Sequence, residues 1–158
     1  MRLRNLLLIG SLFVSAYAAL LGIDLGQDFT KAVLVAPGVP FEIVMSADSK
    51  RKDVSGIAFK PLSKDGTEIE RIYGPATSSH CTRFPKLCAL NYKPLLGKSV
   101  DDPAVQEYLS SHSGAELVPS KNNRDSTAFK IDSHHYPVEE LLTMNLQNIV
   151  SRGSELLK

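Results

Sequence analysis

The sequence predicts an α/β fold, with short strands in the first half and an amphipathic helix at the end. Apolar runs separated by Gly and Pro turns fill residues 20–73, as expected of strands joined by tight turns. Residues 137–150 instead repeat apolar side chains at helical spacing. The composition, with 43% hydrophobic and 22% charged residues among 158, is that of a globular protein and excludes low-complexity and coiled-coil classes.

The first residues have the layout of a secretory signal peptide. Two arginines precede an apolar run over residues 6–14, and the small-residue pattern Ala16-Tyr17-Ala18 follows. The run is shorter than the roughly 20 residues that a membrane-spanning helix needs. We therefore expect a signal peptide at 1–18, and a mature chain from residue 19 to 158 without a membrane span. An uncleaved anchor or a buried first helix is the alternative.

The strands that follow predict an antiparallel meander leading into a mixed sheet. Residues 20–26 and 30–35 are two apolar strands joined by a tight turn. A Pro-Gly turn at 37–40 then leads to a third strand at 41–45. After a polar loop we expect short strands at 54–59 and 68–73, separated by a turn at Asp65-Gly66.

Helices are expected to flank this sheet. Residues 76–96 are predicted to be helical in pieces, broken at Pro85 and Pro94 and stopped by Gly97. Asp102 as N-cap, with Pro103 at the first helical position, predicts a short helix through residue 109. The polar segment that follows contains candidate strands at 116–118 and 127–131.

The last segment is the clearest predicted helix. Pro137 is suited to its first position, and Glu139 and Glu140 lie in the positively polarised first turn. Its apolar stripe is formed by Val138, Leu142, Leu146, Ile149 and Val150. A long helix in an α/β protein usually precedes another strand, so we expect the chain to be a truncated portion of a larger domain.

Two cysteines, Cys81 and Cys88, leave the redox state open. On one straight helix their Cα atoms would be about 10.5 Å apart, beyond the roughly 7 Å that a disulfide tolerates. Pro85 between them argues against a straight helix. We favour two unpaired, mostly buried thiols over a disulfide. A zinc site is not indicated, because no second pair of ligands with suitable spacing follows.

The motif that carries chemistry is Gly22-Ile23-Asp24-Leu25-Gly26-Gln27-Asp28-Phe29-Thr30-Lys31. A strand follows its second Gly, so a helix dipole is not available to bind phosphate. Successive N–H groups in a tight hairpin can instead converge on an anion, and Gly26 permits close approach. Asp24 is suited to hold Mg²⁺ through its waters. The alternative is an ordinary β-hairpin whose Asp caps its own turn.

This stretch resembles the first phosphate motif of the actin-like ATPase superfamily, and in particular of the seventy-kilodalton heat-shock chaperones. The similarity continues in the family's order and approximate spacing. Its further segments are Phe41–Met45, Val54–Phe59, Ile72–Ala76, Lys93–Lys98, Asp102–Gln106 and Tyr136–Glu140. The signal peptide, Lys31, the Pro-Gly turn and the basic triplet at 50–52 make the chain similar to the family's large endoplasmic-reticulum branch. That branch comprises the glucose-regulated (hypoxia-upregulated) proteins and their fungal counterparts.

The resemblance implies an actin-like ATPase (ribonuclease H-like) lobe over residues 19–158 that binds ATP and Mg²⁺. Asp24, Gly26, Gln27, Asp28 and Phe29 occupy the family's nucleotide-binding positions. Lys93 matches the lysine that positions the attacking water, where its charge would stabilise the γ-phosphate. The alternative for Lys93 is an exposed helix lysine. The family's second phosphate hairpin and its adenosine pocket have no match in the sequence.

Gln27 and Asp28 depart from the family, whose typical members carry hydroxyl residues there. An ionised Asp28 would repel phosphate unless it is turned away or bridged by metal. Nucleotide binding through backbone N–H groups survives this change, whereas hydrolysis is put in doubt, which fits a co-chaperone.

The resemblance implies a chaperone of the endoplasmic reticulum lumen that promotes ADP release from the resident heat-shock chaperone. Unfolded clients would be bound by regions outside this chain. The net charge of +1 does not suggest a nucleic-acid partner. The alternative function is a non-catalytic interaction module that binds a chaperone without ATP turnover.

Overall fold

The computed structural model of the protein describes residues 18–63, 68–121 and 125–158. The predicted signal sequence, apart from Ala18, and the predicted Asp65-Gly66 turn lie outside these residues. Ten strands and three α-helices are formed within them. In this described part of the chain, no helix is both long and apolar enough to cross a membrane.

The first sheet contains the predicted antiparallel meander. Its strands run in the order β1-β2-β3, and a short fourth strand also pairs with β2. They are β1 (Leu20–Leu25), β2 (Phe29–Ala36), β3 (Val39–Ile43) and β4 (Asp53–Val54). Gly38 has a φ of 79°, which glycine adopts at little steric cost, so the turn is tight and β3 begins two residues earlier than predicted.

Two more sheets complete the described strands, in the orders β6-β5-β7 and β10-β9-β8. Their strands are β5 (Gly56–Pro61), β6 (Ile69–Ile72), β7 (Cys88–Leu90), β8 (Leu117–Pro119), β9 (Thr127–Ile131) and β10 (His134–Pro137). The α/β class is confirmed, but the described pairs are all antiparallel, so the expected mixed sheet is replaced by three antiparallel ones. Most of these pairs join strands that follow one another along the chain through short connections, and such connections allow antiparallel pairing only.

The α-helices of the described residues are α1 (Pro75–Arg83), α2 (Pro103–Ser111) and α3 (Val138–Glu155). The prediction of broken helical pieces over 76–96 is confirmed in part. Helix α1 ends before Pro85, and short 3-10 turns form at 85–87 and 93–95. Between them lies strand β7, which is too short to show an alternating pattern. Gly97, with a φ of 68°, ends the last turn as predicted.

The predicted N-cap of α2 is confirmed. The Asp102 carboxylate accepts a hydrogen bond of 2.9 Å from the Ala104 N–H. This backbone hydrogen bond is the main cause of a lowered pKa of the Asp102 carboxyl. A hydrogen bond from the Lys98 ammonium is the second cause. The cap therefore fixes the start of the helix at Pro103.

Helix α3 packs against two separate apolar cores. The larger core contains Ile57, Phe59, Ala89, Tyr92, Leu95, Val105, Tyr108, Phe129, Ile131, Val138, Leu141 and Met144. The smaller one joins the meander to the end of the helix through Ala32, Leu34, Val44 and Ile149. A Cβ at Gly153 would lie only 3.3 Å from the Leu21 side chain, so the glycine lets helix and sheet approach closely.

The predicted stripe of α3 is rotated in the structure. Leu141 and Met144 are buried, whereas Leu142 is only partly buried and Val150 is 48% exposed. The helix also begins one residue later than predicted, because Pro137 is the last residue of β10 and serves as the N-cap. The rotation follows from the two partners of the helix, since its buried face must meet the larger core first and the meander later.

The preference for unpaired thiols is wrong, because Cys81 and Cys88 form a disulfide. Helix α1 ends at Arg83, and the 3-10 turn that starts with Pro85 reverses the chain into β7. The Cα atoms of the two cysteines therefore lie 5.8 Å apart, within the range of a disulfide. The straight-helix distance does not apply to this segment.

Candidate functional site

The turn from Gly26 to Asp28 joins β1 to β2 and is the centre of the candidate site. Strand pairing brings Asp24 opposite Lys31 at the end of the hairpin. The Asp24 carboxylate lies 3.5 Å from the Lys31 ammonium, and both side chains are more than half exposed. An exposed pair of this kind contributes little to stability. The Asp24 carboxylate thus remains accessible to solvent at the end of β1.

Gly26 is required by the shape of this turn. A Cβ at this position would lie 2.4 Å from the backbone carbonyl oxygen of Phe29. The obstacle is main chain, so no rotation of a side chain would relieve the overlap. A side chain at residue 26 would therefore open the turn.

Ser55, between β4 and β5, fixes the turn from one side. Its hydroxyl donates a 3.0 Å hydrogen bond to the Gly26 carbonyl, and its N–H donates one of 2.9 Å to the Asp28 carbonyl. The hydroxyl also lies 2.8 Å from the Thr30 hydroxyl. Since a serine has one hydroxyl proton and it is used on Gly26, Thr30 is the donor in this contact.

Asn91, which directly follows β7, fixes the turn from the other side. Its side-chain amide donates a 2.8 Å hydrogen bond to the Asp28 carboxylate and one of 3.3 Å to the Gln27 carbonyl. Its own N–H donates to the Ser55 carbonyl at 2.9 Å. The residue has a φ of 50°, a conformation that Asn tolerates better than most side chains.

Lys93 reaches the same hairpin from the 3-10 turn at 93–95. Its ammonium group donates a hydrogen bond to the carbonyl of Leu25, between Asp24 and Gly26 in the sequence. The structure thus brings the predicted Lys93 to the end of β1, 68 residues away along the chain. Carbonyl groups of four consecutive residues, 25–28, now have donors from other elements. The four carbonyl groups are therefore used in hydrogen bonds within the protein.

Phe29 is the first residue of β2, and its side chain has a different environment. The ring is 41% exposed, and the Lys52 ammonium lies 3.8 Å from the ring centroid. This geometry is a cation–π contact with the basic loop before β4. The ring is thus shielded on one face by a cation.

The residues of the hairpin fit a hydrated Mg²⁺ better than a metal held by protein alone. In the described residues, no group of three or more His, Cys, Asp or Glu side chains could hold a metal ion. Mg²⁺ commonly takes only one or two carboxylates and keeps waters or phosphates as its other ligands. The exposed carboxylate of Asp24 meets that requirement.

Sequence reasoning missed Ser55 and Asn91. Each is a common surface residue type in a short segment, and Asn91 lies 64 and 63 residues from its partners Gln27 and Asp28. No local spacing indicates such contacts. The only signal is position, since Asn91 lies two residues before Lys93, which the sequence did single out.

The chain resembles an actin-like ATPase lobe in three features of this site: the glycine turn between antiparallel strands, the acidic residue before it, and the lysine that a later turn brings to it. Comparison with protein families agrees with this class, because the model of the family described as Hsp70 protein matches residues 20–158. The chain therefore belongs to the Hsp70 family, and its relatives place it in the large endoplasmic-reticulum branch.

Those relatives include two groups of proteins. The chain is 44% identical to heat shock protein 70 homolog LHS1 of Saccharomyces cerevisiae, over 99% of this chain and 18% of that protein. It is 35% identical to hypoxia up-regulated protein 1 of Xenopus laevis, over 81% of this chain and 19% of the relative. The human protein of that name is 33% identical over 89% of this chain and 13% of its own length. The chain thus spans less than a fifth of the length of these relatives.

Proposed function

We propose that this chain binds ATP with Mg²⁺ as the N-terminal part of a molecular chaperone of the endoplasmic reticulum lumen. The observation that carries the proposal is the arrangement of the 25–28 turn. Its carbonyl groups accept hydrogen bonds from Ser55, Asn91 and Lys93. The N–H groups are the polar groups that such a turn can direct toward a phosphate.

Each predicted residue has a role in this proposal. Asp24 would hold Mg²⁺ through water molecules, and the metal would neutralise charge on the phosphates. Gly26 allows the backbone to approach them without a side chain in the way. Lys93 would contribute a positive charge beside the transferred phosphoryl group and position the attacking water. Its ammonium donates to the Leu25 carbonyl, so the lysine is close to the hairpin that would bind the phosphates.

The cellular role rests on the relatives and on the disulfide. The relatives are named as heat shock protein 70 homologs and hypoxia up-regulated proteins. The Cys81–Cys88 disulfide suits an oxidising compartment such as the endoplasmic reticulum lumen. We infer that the protein assists folding there as a nucleotide-exchange partner of the resident heat-shock chaperone. Unfolded clients would be bound by regions outside residues 19–158.

A second candidate is a non-catalytic module that binds a chaperone without turning over ATP. The residues that favour it are Gln27 and Asp28, which stand where hydroxyl donors would serve hydrolysis. Asp24 and Lys93 favour the first proposal. The two candidates differ in what a substitution at Asp24 does, because only the first requires Mg-ATP affinity.

Calorimetric titration of the folded chain with Mg-ATP tests the proposal. We expect micromolar affinity, and Asp24→Ala should weaken it by about 10-fold or more, equivalent to about 1.4 kcal/mol. Asp48→Ala removes another exposed carboxylate and should leave the affinity unchanged. A chain that is folded by circular dichroism yet binds no Mg-ATP would refute the proposal for these residues.

A turnover assay separates binding from hydrolysis. Lys93→Ala should abolish any ATP hydrolysis while it changes Mg-ATP affinity only a few-fold, because Lys93 acts mainly on the transition state. Lys86→Ala is a matched control, since Lys86 lies in the other 3-10 turn, at 85–87, and is exposed. Absence of turnover in the unsubstituted chain, with binding intact, would favour the non-catalytic candidate.

A further inference from the structure

The Asp28 carboxylate presents an electrostatic problem for a phosphate-binding turn. It belongs to the turn itself, and a free carboxylate a few ångströms from a phosphate would oppose binding. The structure shows one oxygen of this carboxylate engaged by the side-chain amide of Asn91, at 2.8 Å. Asn91 therefore determines where the charge of Asp28 is held.

We propose that Asn91 is a positioning residue that holds the Asp28 carboxylate away from the phosphate-binding side of the turn. The inference rests on the proposed function, because it assumes that the turn accepts a phosphate. It adds a residue that explains how the departure from hydroxyl side chains at this position is compatible with nucleotide binding. Without Asn91, the same turn would present an unrestrained negative charge to its ligand.

An asparagine is well suited to this role. Its amide has two N–H donors, and one contacts Asp28 while the other can serve the Gln27 carbonyl at 3.3 Å. The amide oxygen lies 3.5 Å from the Nε2 atom of His112, at the end of α2. Since a carboxylate and a backbone carbonyl can only accept hydrogen bonds, the amide nitrogen is the atom that faces Asp28 and Gln27. An aspartate in place of Asn91 would offer no donor and would add a second negative charge.

Backbone hydrogen bonds around Asn91 fix the position of its side chain relative to the turn. Its N–H is bound to the Ser55 carbonyl, and Ser55 is itself bound to the turn at Gly26 and Asp28. Lys93 follows two residues later and contacts Leu25. One short segment, 91–93, thus holds both the charge of the turn and the candidate catalytic lysine in place.

A double-mutant cycle on Mg-ATP affinity tests the proposal. Asn91→Ala should weaken binding about 10-fold, because it frees the Asp28 carboxylate. Asp28→Ala in the Asn91→Ala background should restore the affinity to within about 2-fold of the unsubstituted chain, since no carboxylate remains to be held. A residue that only supports the fold would not be rescued by loss of a second contact. Asn145→Ala, a substitution on α3 that removes an amide hydrogen bond to the Tyr92 hydroxyl, is the matched control.

Asn91→Asp and its compensating change give a second measurement. Asn91→Asp brings two carboxylates together and should weaken Mg-ATP binding more than Asn91→Ala does. Asp28→Asn combined with Asn91→Asp restores one amide-to-carboxylate hydrogen bond with the two groups exchanged. This double variant should regain most of the affinity. Normal affinity in Asn91→Ala, or a double-alanine variant as weak as Asn91→Ala, would overturn the proposal.

A measurement without nucleotide separates this proposal from the proposed function. In urea, the unfolding constants of the unsubstituted chain, Asn91→Ala, Asp28→Ala and the double-alanine variant should show a coupling of about 10-fold between residues 28 and 91. If the unsubstituted chain binds no nucleotide but the coupling is present, the proposed function fails while the Asn91–Asp28 contact stands. Coupling below about 2-fold overturns the contact itself, whatever the nucleotide result.

Discussion

The meander and the rest of the structure are stabilised in different ways. In the described residues, the larger core brings together twelve buried residues from the second and third sheets, from helices α2 and α3, and from the segment around the 3-10 turn at 93–95. The core under the meander contains four, of which one, Ile149, comes from α3. The candidate site lies in the region with the smaller core. Its geometry therefore depends on contacts that the larger core supplies.

Those contacts are polar and come from positions next to well-packed strands. Ser55 precedes β5 and Asn91 follows β7, and these two strands pair with each other over Gly56–Ala58 and Cys88–Leu90. Arg152 on α3 adds an ion pair with Asp53 of β4 and a hydrogen bond to the Met45 carbonyl. A turn with little packing of its own is thus shaped by donors that a well-packed neighbour positions.

Matched leucine truncations test the contrast directly and should have the largest effect. Leu141→Ala, in the larger core, should lower the free energy of unfolding by about 4 kcal/mol, and Leu34→Ala under the meander by about 2 kcal/mol. Both side chains are almost fully buried, at 0% and 3% exposure. Urea unfolding measures both, and equal losses would contradict the difference between the two cores.

Loss of the Arg152 side chain should lower the free energy of unfolding nearly as much. Arg152→Ala leaves the Asp53 carboxylate buried without its cation, and we expect a loss of about 3 kcal/mol in the free energy of unfolding. The side chains of this pair are only 16% and 13% exposed. Lys60→Ala breaks a pair with Glu70 whose side chains are about half exposed, and should cost less than about 1 kcal/mol. If the two variants lost similar amounts of unfolding free energy, burial would not explain the contribution of these ion pairs.

The disulfide lies in the well-packed region, since Cys88 begins β7 of the second sheet. Replacing both cysteines by alanine should lower the free energy of unfolding by about 2.5 kcal/mol, the chain-entropy value for so short a loop. A reducing agent should have the same effect on the unsubstituted chain and none on the variant. Because Cys88 begins the strand that leads to Asn91, we also expect weaker Mg-ATP binding in the reduced chain. Unchanged stability on reduction would contradict the pairing.

Alkaline pH should act on the larger core alone and have the smallest effect. Burial raises the pKa of Tyr92 to about 12, and burial likewise raises the pKa of Tyr108. In the unfolded chain these hydroxyls ionise near pH 10, so stability is complete below that pH and is lost as the pH rises toward 12. We expect a loss of about 1 kcal/mol per tyrosine at pH 11.

The matching control is the variant Tyr92→Phe, which should lose less stability between pH 9 and pH 11 than the unsubstituted chain. No tyrosine occurs from Leu20 to Val54, so the meander contributes nothing to this loss. An equally steep alkaline loss in Tyr92→Phe would show that other groups are responsible.

Patterns along the chain predicted most of the elements. The hairpin strands, the Asp102 cap and the final helix are encoded by residues that are close in sequence, through alternation, capping chemistry and helical spacing. The short strands β7 and β10 were not predicted, since three or four residues show too little periodicity. The face of α3 was misplaced because its burial depends on two partners that are distant in sequence.

The residues of the candidate site likewise fall into those that the sequence predicted and those that it did not. Asp24, Gly26 and Asp28 are contiguous, so their motif is visible in the sequence, and Lys93 was found through resemblance. Ser55 and Asn91 act through contacts across strands, which no spacing rule reveals. The disulfide was misjudged because the chain reversal at Pro85 shortens a distance that a straight helix would have kept long.

The disulfide also has a consequence for the timing of synthesis. Its cysteines are separated by only seven positions, so both sulfur atoms emerge from the ribosome almost together. Closing so small a loop takes on the order of 100 ns or less, far faster than translation adds a residue. The pair can therefore meet before β8, β9 and α3 have been made. Formation of the bond then needs only an oxidant that takes up two electrons and two protons from the thiols, and later elements would fold onto a segment whose covalent connections are complete.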